Sequence, residues 1–381
     1  MLRSKLPESN KTVLSNIQKY IQQNEVVDLA TSLPDCRMPE KLSALIMKYI
    51  KEGKNQYAPI EGVLSLRKSV SDYYANNFSK KYNPETEITI TNGATEAVWD
   101  SITAIVHEDD EVIIIEPSYE NYVPAIRLNG GIPVFVTLKP PFYKIDWNEV
   151  IRMVSQRTRM IILSTPHIQT GVGYTDEDFK SLSKVISGSK IILLCDDSFK
   201  TFVYDNNFLS IAKYPVLTKQ TIIVSSLSKE LSATGWKTGY CIAPNDYSKE
   251  IRKIHNYICN GSNAVFQYAA AEFLNLGTDY FDTLCKEYKQ KRDLLCSMLK
   301  GSKYKFIPCQ STWFQIVDCS EVSKLSDKDF ALELCEKYGV AVFPMSVYYH
   351  DKTKSNIVRI CFARSIKTIE KGVKCLLNAQ K

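Results

Sequence analysis

Long apolar runs are missing from this chain: no stretch approaches the ~20 apolar residues of a bilayer span, and the opening MLRSKLPESNK carries no secretory-type apolar core. No membrane association is expected. Cysteine pairs of the C-x-x-C form are also absent. The eleven cysteines are scattered, and Cys195, Cys241 and Cys361 fall inside apolar strand patterns. They read as reduced, buried thiols of a cytoplasmic protein, not as a disulfide framework. Histidine is scarce, with four residues, none beside a cysteine pair or in an H-E-x-x-H arrangement, so no metal site is expected. Basic blocks are lacking too. The 48 Lys and Arg are interspersed among 42 Asp and Glu, and the net charge of +6 describes a solvated surface, not a nucleic-acid groove. There is no internal repeat and no low-complexity segment.

What remains is a chain of 381 residues, long enough for two domains. Its middle alternates short β-branched runs with helical patterns. The predicted strands are EITIT (87–91), EVIII (111–115), IPVFVTL (132–138), RMIILST (159–165), KIILLC (190–195), TIIVSS (221–226) and GYCIAP (239–244). Their near-continuous hydrophobicity suits a sheet covered on both faces, with helices such as Thr95–Val106 and Asp176–Ile186 between strands. This is the pattern of an α/β fold with a large, doubly wound, mainly parallel sheet. After about residue 280 the rhythm changes. A long charged helix leads to strands YKFIPC and FQIVD, a helix near 327–338, strands VAVFP and IVRICFA, and a final helix. The expected organisation is a large domain over 41–280 and a smaller α+β domain over 281–381, with segment 1–40 packing on the latter. A ligand cleft between them is expected.

The segment SSLSKELSATGWKTGYCIAP (225–244) carries the strongest chemical signal. An apolar strand ends there, Lys229 follows in a Ser-rich turn, and Gly235 and Gly239 bracket Trp236 and Lys237. A lysine at the mouth of an α/β sheet lies in the crevice where such folds bind ligands, and partial desolvation favours its nucleophilic free amine.

The whole segment resembles the cofactor-lysine signature of the class I/II aminotransferases. NQYAPIEGVLSLRKSV (55–70), TNGATEAV (91–98), EPSYENYVPAI (116–126), the Asp-Asp turn after KIILLC and IVRICFA (357–363) occur in that family's order. The sub-group most similar is the methionine/glutamine and kynurenine aminotransferases. The resemblance implies a fold type I, PLP-dependent transferase with pyridoxal 5'-phosphate held as a Schiff base on Lys229, the residue that also shuttles the proton.

It further implies that Gly93, Ala94 and Thr95 cradle the phosphate at a helix N-terminus, where free N–H groups and the helix dipole favour an anion. Ser226 and Lys237 would add a hydroxyl and a cation, and Tyr57 would reach the partner's phosphate across a homodimer interface. Tyr119 would stack on the pyridine ring, Asp196 would keep its nitrogen protonated so that it acts as an electron sink, and Arg359 would grip the substrate carboxylate bidentately.

Four positions depart from the family pattern. STPHIQTG (164–171) has Ser164 and Ile168 where the family has asparagines, and DDSF has Phe199 where the family has a tyrosine. Both family donors to the cofactor's phenolic oxygen are therefore missing. In TSLPDC (31–36), Ser32 replaces a glycine that in the family lies close to the substrate. The implied activity is transfer of an α-amino group between an amino acid (apolar, aromatic, methionine- or glutamine-like) and a 2-oxo acid. The alternatives are another PLP-dependent reaction on amino acids, such as β- or γ-elimination, and a non-catalytic PLP-binding homologue. A PLP-sensing regulator would need a DNA-binding module ahead of this fold, and the sequence leaves no room for one.

Overall fold

Strands that are apolar on both faces are stable only when both faces are covered, and the seven central patterns satisfy this by joining one sheet. A computed structural model describes residues 4–6, 12–277, 279–351 and 355–380. The sheet runs in the order Ile88–Thr91, Gly239–Ile242, Thr221–Ser225, Ile192–Asp196, Thr158–Ser164, Glu111–Glu116, Ile132–Thr137. Gly239–Ile242 alone is antiparallel to its neighbours; the remaining pairings are parallel. Alternate residues feed two separate cores. Ile113, Ile115, Ile161, Leu163 and Leu193 face one layer of helices, while Val112, Ile114, Met160, Ile162 and Leu194 face the other.

The helices start and stop where local chemistry dictates. Asp176–Ile186 begins with a capping box between Thr175 and Asp178. Asp327–Tyr338 is capped by Ser326 and ends on Gly339 at φ +67°.

Beyond the helix Tyr280–Leu299, a three-stranded antiparallel sheet in the order Phe343–Pro344, Ile357–Cys361, Phe314–Asp318 carries a third apolar core. Val27–Asp28 pairs in parallel with Val340–Ala341, tying the N-terminal segment to this layer. The expectation for 1–40 falls partly on residues outside those described.

Two strand expectations are corrected. YKFIPC (304–309) is not a strand, apart from a bridge between Lys305 and Asp318. Pro308 has no N–H to give to a ladder. The Gln315 side chain takes over instead, accepting from Cys309 N at 3.0 Å and donating to Ile307 O at 2.9 Å. VAVFP is split: Val340–Ala341 pairs with Val27–Asp28, and Phe343–Pro344 pairs with Val358 and Arg359. No helix among the described residues is long and apolar enough to cross a membrane, and all eleven cysteines are free.

Candidate active site

Parallel strands bring their carboxyl ends to one edge, and the loops leaving that edge converge there. The first such loop follows Ile88–Thr91. Gly93 takes φ +78°, a conformation that favours glycine, and opens the helix Gly93–Ile105. The N-cap residue Asn92 makes no side-chain cap bond to this helix. Gly239 lies against the same turn: a Cβ there would meet Ser225 O at 2.5 Å and Ala94 N at 2.6 Å, so only glycine allows the approach. Lys237, itself at φ +50°, has its Nζ 3.4 Å from where a Cβ of Gly93 would stand. Ser226 is buried at the end of the neighbouring strand. Across the turn, the Tyr119 hydroxyl lies 3.3 Å from Thr95 Oγ1 and accepts from Asn121 Nδ2 at 2.7 Å.

Lys229 sits in the single turn Leu227–Glu230. That turn is pinned by Ser228, whose N–H donates to Thr238 O at 2.9 Å and whose hydroxyl accepts from Thr238 N at 2.6 Å. The Lys229 amine lies 4.3 Å from the Phe199 ring centroid. Burial brings its pKa down to about 8; Asp196 opposes the shift and Lys237 adds to it. Asp196, at the end of Ile192–Asp196, accepts from Ser198 N at 3.1 Å and from the Tyr122 hydroxyl at 3.0 Å. Behind the lysine turn, Lys200 and Glu230 form a buried ion pair, and Lys200 also donates to Ser225 Oγ at 2.8 Å.

Arg359 comes from the smaller sheet, on the strand Ile357–Cys361. Its guanidinium is buried and rests 3.9 Å from the Phe314 ring centroid, with Phe343 and Tyr348 at 5.0 and 4.9 Å. It donates to Gln169 Oε1 and, at 3.2 Å, to Ser32 Oγ; among the described residues its Nε has no hydrogen-bond partner. Gln169 in turn donates to Ser118 O at 3.4 Å, joining the Arg359 layer to the loop that carries Tyr119. Ile168 and Phe199 are buried in the apolar core shared with the smaller sheet. His167 pairs with Thr170 Oγ1 at 2.8 Å, and burial lowers its pKa to about 4. The buried Ser198 hydroxyl has no hydrogen-bond partner among the described residues.

The structure therefore gathers Gly93, Ala94, Thr95, Tyr119, Asp196, Ser226, Lys229 and Lys237 at one sheet edge and places Arg359 on the opposing layer. Tyr57 stands apart, 83% exposed. Sequence reading missed Gln169, Tyr122 and Tyr348. Gln169 follows the altered Ile168 directly, and that polar residue beside an apolar replacement was the available signal.

Known proteins resemble this chain over nearly its whole length. The family model "Aminotransferase class I and II" matches residues 24–376. The methionine aminotransferase of Escherichia coli is 36% identical over 96% of this chain and 95% of its own length. The kynurenine–oxoglutarate transaminase of Dictyostelium discoideum is 30% identical over 93% of this chain and 91% of its own. Among solved structures, an E. coli protein identified as a methionine aminotransferase superposes with a TM-score of 0.96 at 35% identity, covering 99% of both chains.

Proposed function

The chain belongs to the class I and II aminotransferases, and we propose that it moves the α-amino group of an apolar, aromatic, methionine- or glutamine-like amino acid to a 2-oxo acid, using pyridoxal 5'-phosphate on Lys229. The observation that carries this reading is the buried Lys229 amine, with a pKa near 8, at strand ends shared with Asp196 and a helix N-terminus to which the Asn92 side chain makes no cap bond. The residues suit the cofactor. The open first turn of Gly93–Ile105 with Lys237 beside it fits a phosphate, and Asp196 fits a protonated pyridine nitrogen. When bound, the cofactor supplies an aldehyde that condenses with amines and a ring that draws electrons from the substrate α-carbon.

This chain's own groups do the rest. Gly93, Ala94, Thr95, Ser226 and Lys237 anchor the phosphate, and Tyr119 lies against the ring. Lys229, as free amine, takes and returns the proton at the substrate α-carbon. Arg359 holds the substrate carboxylate, held flat by Phe314 and Tyr348. Relatives named for methionine and kynurenine support apolar and aromatic substrates. Tyr57 is exposed, as a residue serving a homodimer partner would be. The free cysteines support a reducing, cytoplasmic setting.

Incubating the cofactor-loaded protein with a panel of amino acids and 2-oxo acids tests the reading. New amino acid should appear only when both are present. Ile168 and Phe199 favour a second reading, elimination, because the two positions that the family resemblance assigns to hydrogen-bond donors are here buried and apolar. Ammonia released without any 2-oxo acceptor would select it.

A further inference from the structure

Away from the cleft, the helix Gly93–Ile105 packs along the helix Asn245–Cys259, and four chemically distinct side chains meet between them. The His255 ring is fully buried. Its Nδ1 lies 3.4 Å from Glu96 Oε1, 3.6 Å from Asp100 Oδ2 and 3.4 Å from Cys259 Sγ. The sulfur also lies 3.8 Å from Nε2. Ligand atoms of Glu96, His255 and Cys259 all fall within 4.8 Å of one another. Asp100 is 0% exposed, and among the described residues its carboxylate accepts no hydrogen bond, only the His255 ring standing near it at 3.6 Å. A buried carboxylate left in that state is costly unless a cation answers it.

We propose that Glu96, His255 and Cys259 form a binding site for a divalent transition-metal ion of the zinc class, with the Asp100 carboxylate adding negative charge beside His255. Carboxylate, imidazole and thiolate are the donors such an ion takes. Bonds of about 2.0–2.3 Å on a tetrahedron set neighbouring ligand atoms about 3.3–3.6 Å apart, the spacing found around Nδ1. Hard cations such as calcium and magnesium prefer oxygen alone and are disfavoured by the sulfur and the imidazole.

The charges agree. Two carboxylates crowd one imidazole here, which concentrates negative charge where a cation would sit. A metal takes cysteine as thiolate and histidine as neutral imidazole, so binding releases protons to solvent. The ion would clamp the helix whose first turn is the proposed phosphate cradle, because Glu96 also accepts from Asn92 N at the head of that turn. Its role is structural; it touches no group of the cleft.

The test is cobalt substitution in the cofactor-loaded enzyme after treatment with a chelator. Spectra are read as the difference between cobalt- and zinc-loaded samples, so that cofactor absorbance cancels. One cobalt per chain is expected, with visible ligand-field bands of tetrahedral intensity and a thiolate-to-cobalt charge-transfer band. Cys259→Ser should lose the charge-transfer band, Asp100→Asn should bind about 10–100-fold more weakly, and Cys285→Ser should keep both signals. Should Cys259→Ser not fold, cobalt–sulfur scattering in X-ray absorption of the wild-type enzyme decides the same point. No cobalt uptake by folded wild-type enzyme, uptake without a sulfur signal, or a band that survives Cys259→Ser would each overturn the proposal.

Discussion

The amine of Lys229 lies 4.3 Å from the centre of the Phe199 ring, so the residue proposed to carry the cofactor rests on a hydrocarbon face. A ring face attracts a cation weakly, yet burial outweighs it and the pKa falls to about 8.

Cofactor capture by the apoprotein should follow that value. Below pH 8 the amine is protonated, and the capture rate should fall about tenfold per pH unit. Above pH 8 it should level off instead of climbing towards 10.5, the ordinary lysine value. The linkage has a matching sign. Between about 8 and 10.5 the unfolded chain binds more protons than the folded one, so this group makes stability rise with pH in that window. Stopped-flow uptake across pH checks the midpoint; a rate still rising at pH 10 would refute it.

Borohydride reduction of the loaded protein should fix the cofactor on Lys229, found by peptide mapping. Lys229→Ala should lose the label and lower transamination by about 10²–10⁴-fold or more, since the base at the α-carbon is gone. A label on another lysine would end the site assignment.

Restoring polar donors at the two apolar positions should shift the bound chromophore. A hydrogen bond to a charged acceptor is worth about 1.5–3 kcal/mol, and one pKa unit about 1.4 kcal/mol. Ile168→Asn with Phe199→Tyr should therefore lower the chromophore's spectral pKa by about one unit or more. The Ser198 hydroxyl, which has no hydrogen-bond partner among the described residues, is the group that could already fill this role; an unmoved titration in the double variant would point to it.

Arg359→Lys keeps the charge and loses the planar fork that spans Gln169 and Ser32. KM for both the amino acid and the 2-oxo acid should rise about 10–100-fold, the equivalent of about 1.5–3 kcal/mol. Steady-state kinetics with each substrate varied measures it, and a change in kcat alone would contradict the carboxylate role.

The buried pair Lys200–Glu230 supports the lysine turn from behind. Lys200→Met should cost about 3–5 kcal/mol, because Glu230 is left charged and unpaired. Adding Glu230→Leu should recover most of the loss. Denaturant midpoints of the single and double variants measure this.

The sequence by itself determined the seven central strands and the lysine turn. Runs such as EVIII and TIIVSS are apolar on both faces, a local property that demands a covered sheet. Likewise, the segment 225–244 holds Lys229, Lys237 and Gly239 within a few residues of one another. Contacts between distant segments were decided only by the tertiary structure. Gln169 and Arg359 are 190 residues apart and meet because the smaller sheet closes over the strand ends. The 304–309 run reads as a strand, yet the Gln315 side chain takes the backbone bonds that a neighbouring strand would have used. His255 and Cys259 stand one helical turn apart in sequence, but Glu96 and Asp100 join them only through the packing of two helices. Hydrophobic period is written along the chain, whereas the partner of a buried polar group is chosen by whichever segment the packing brings within about 3 Å of it.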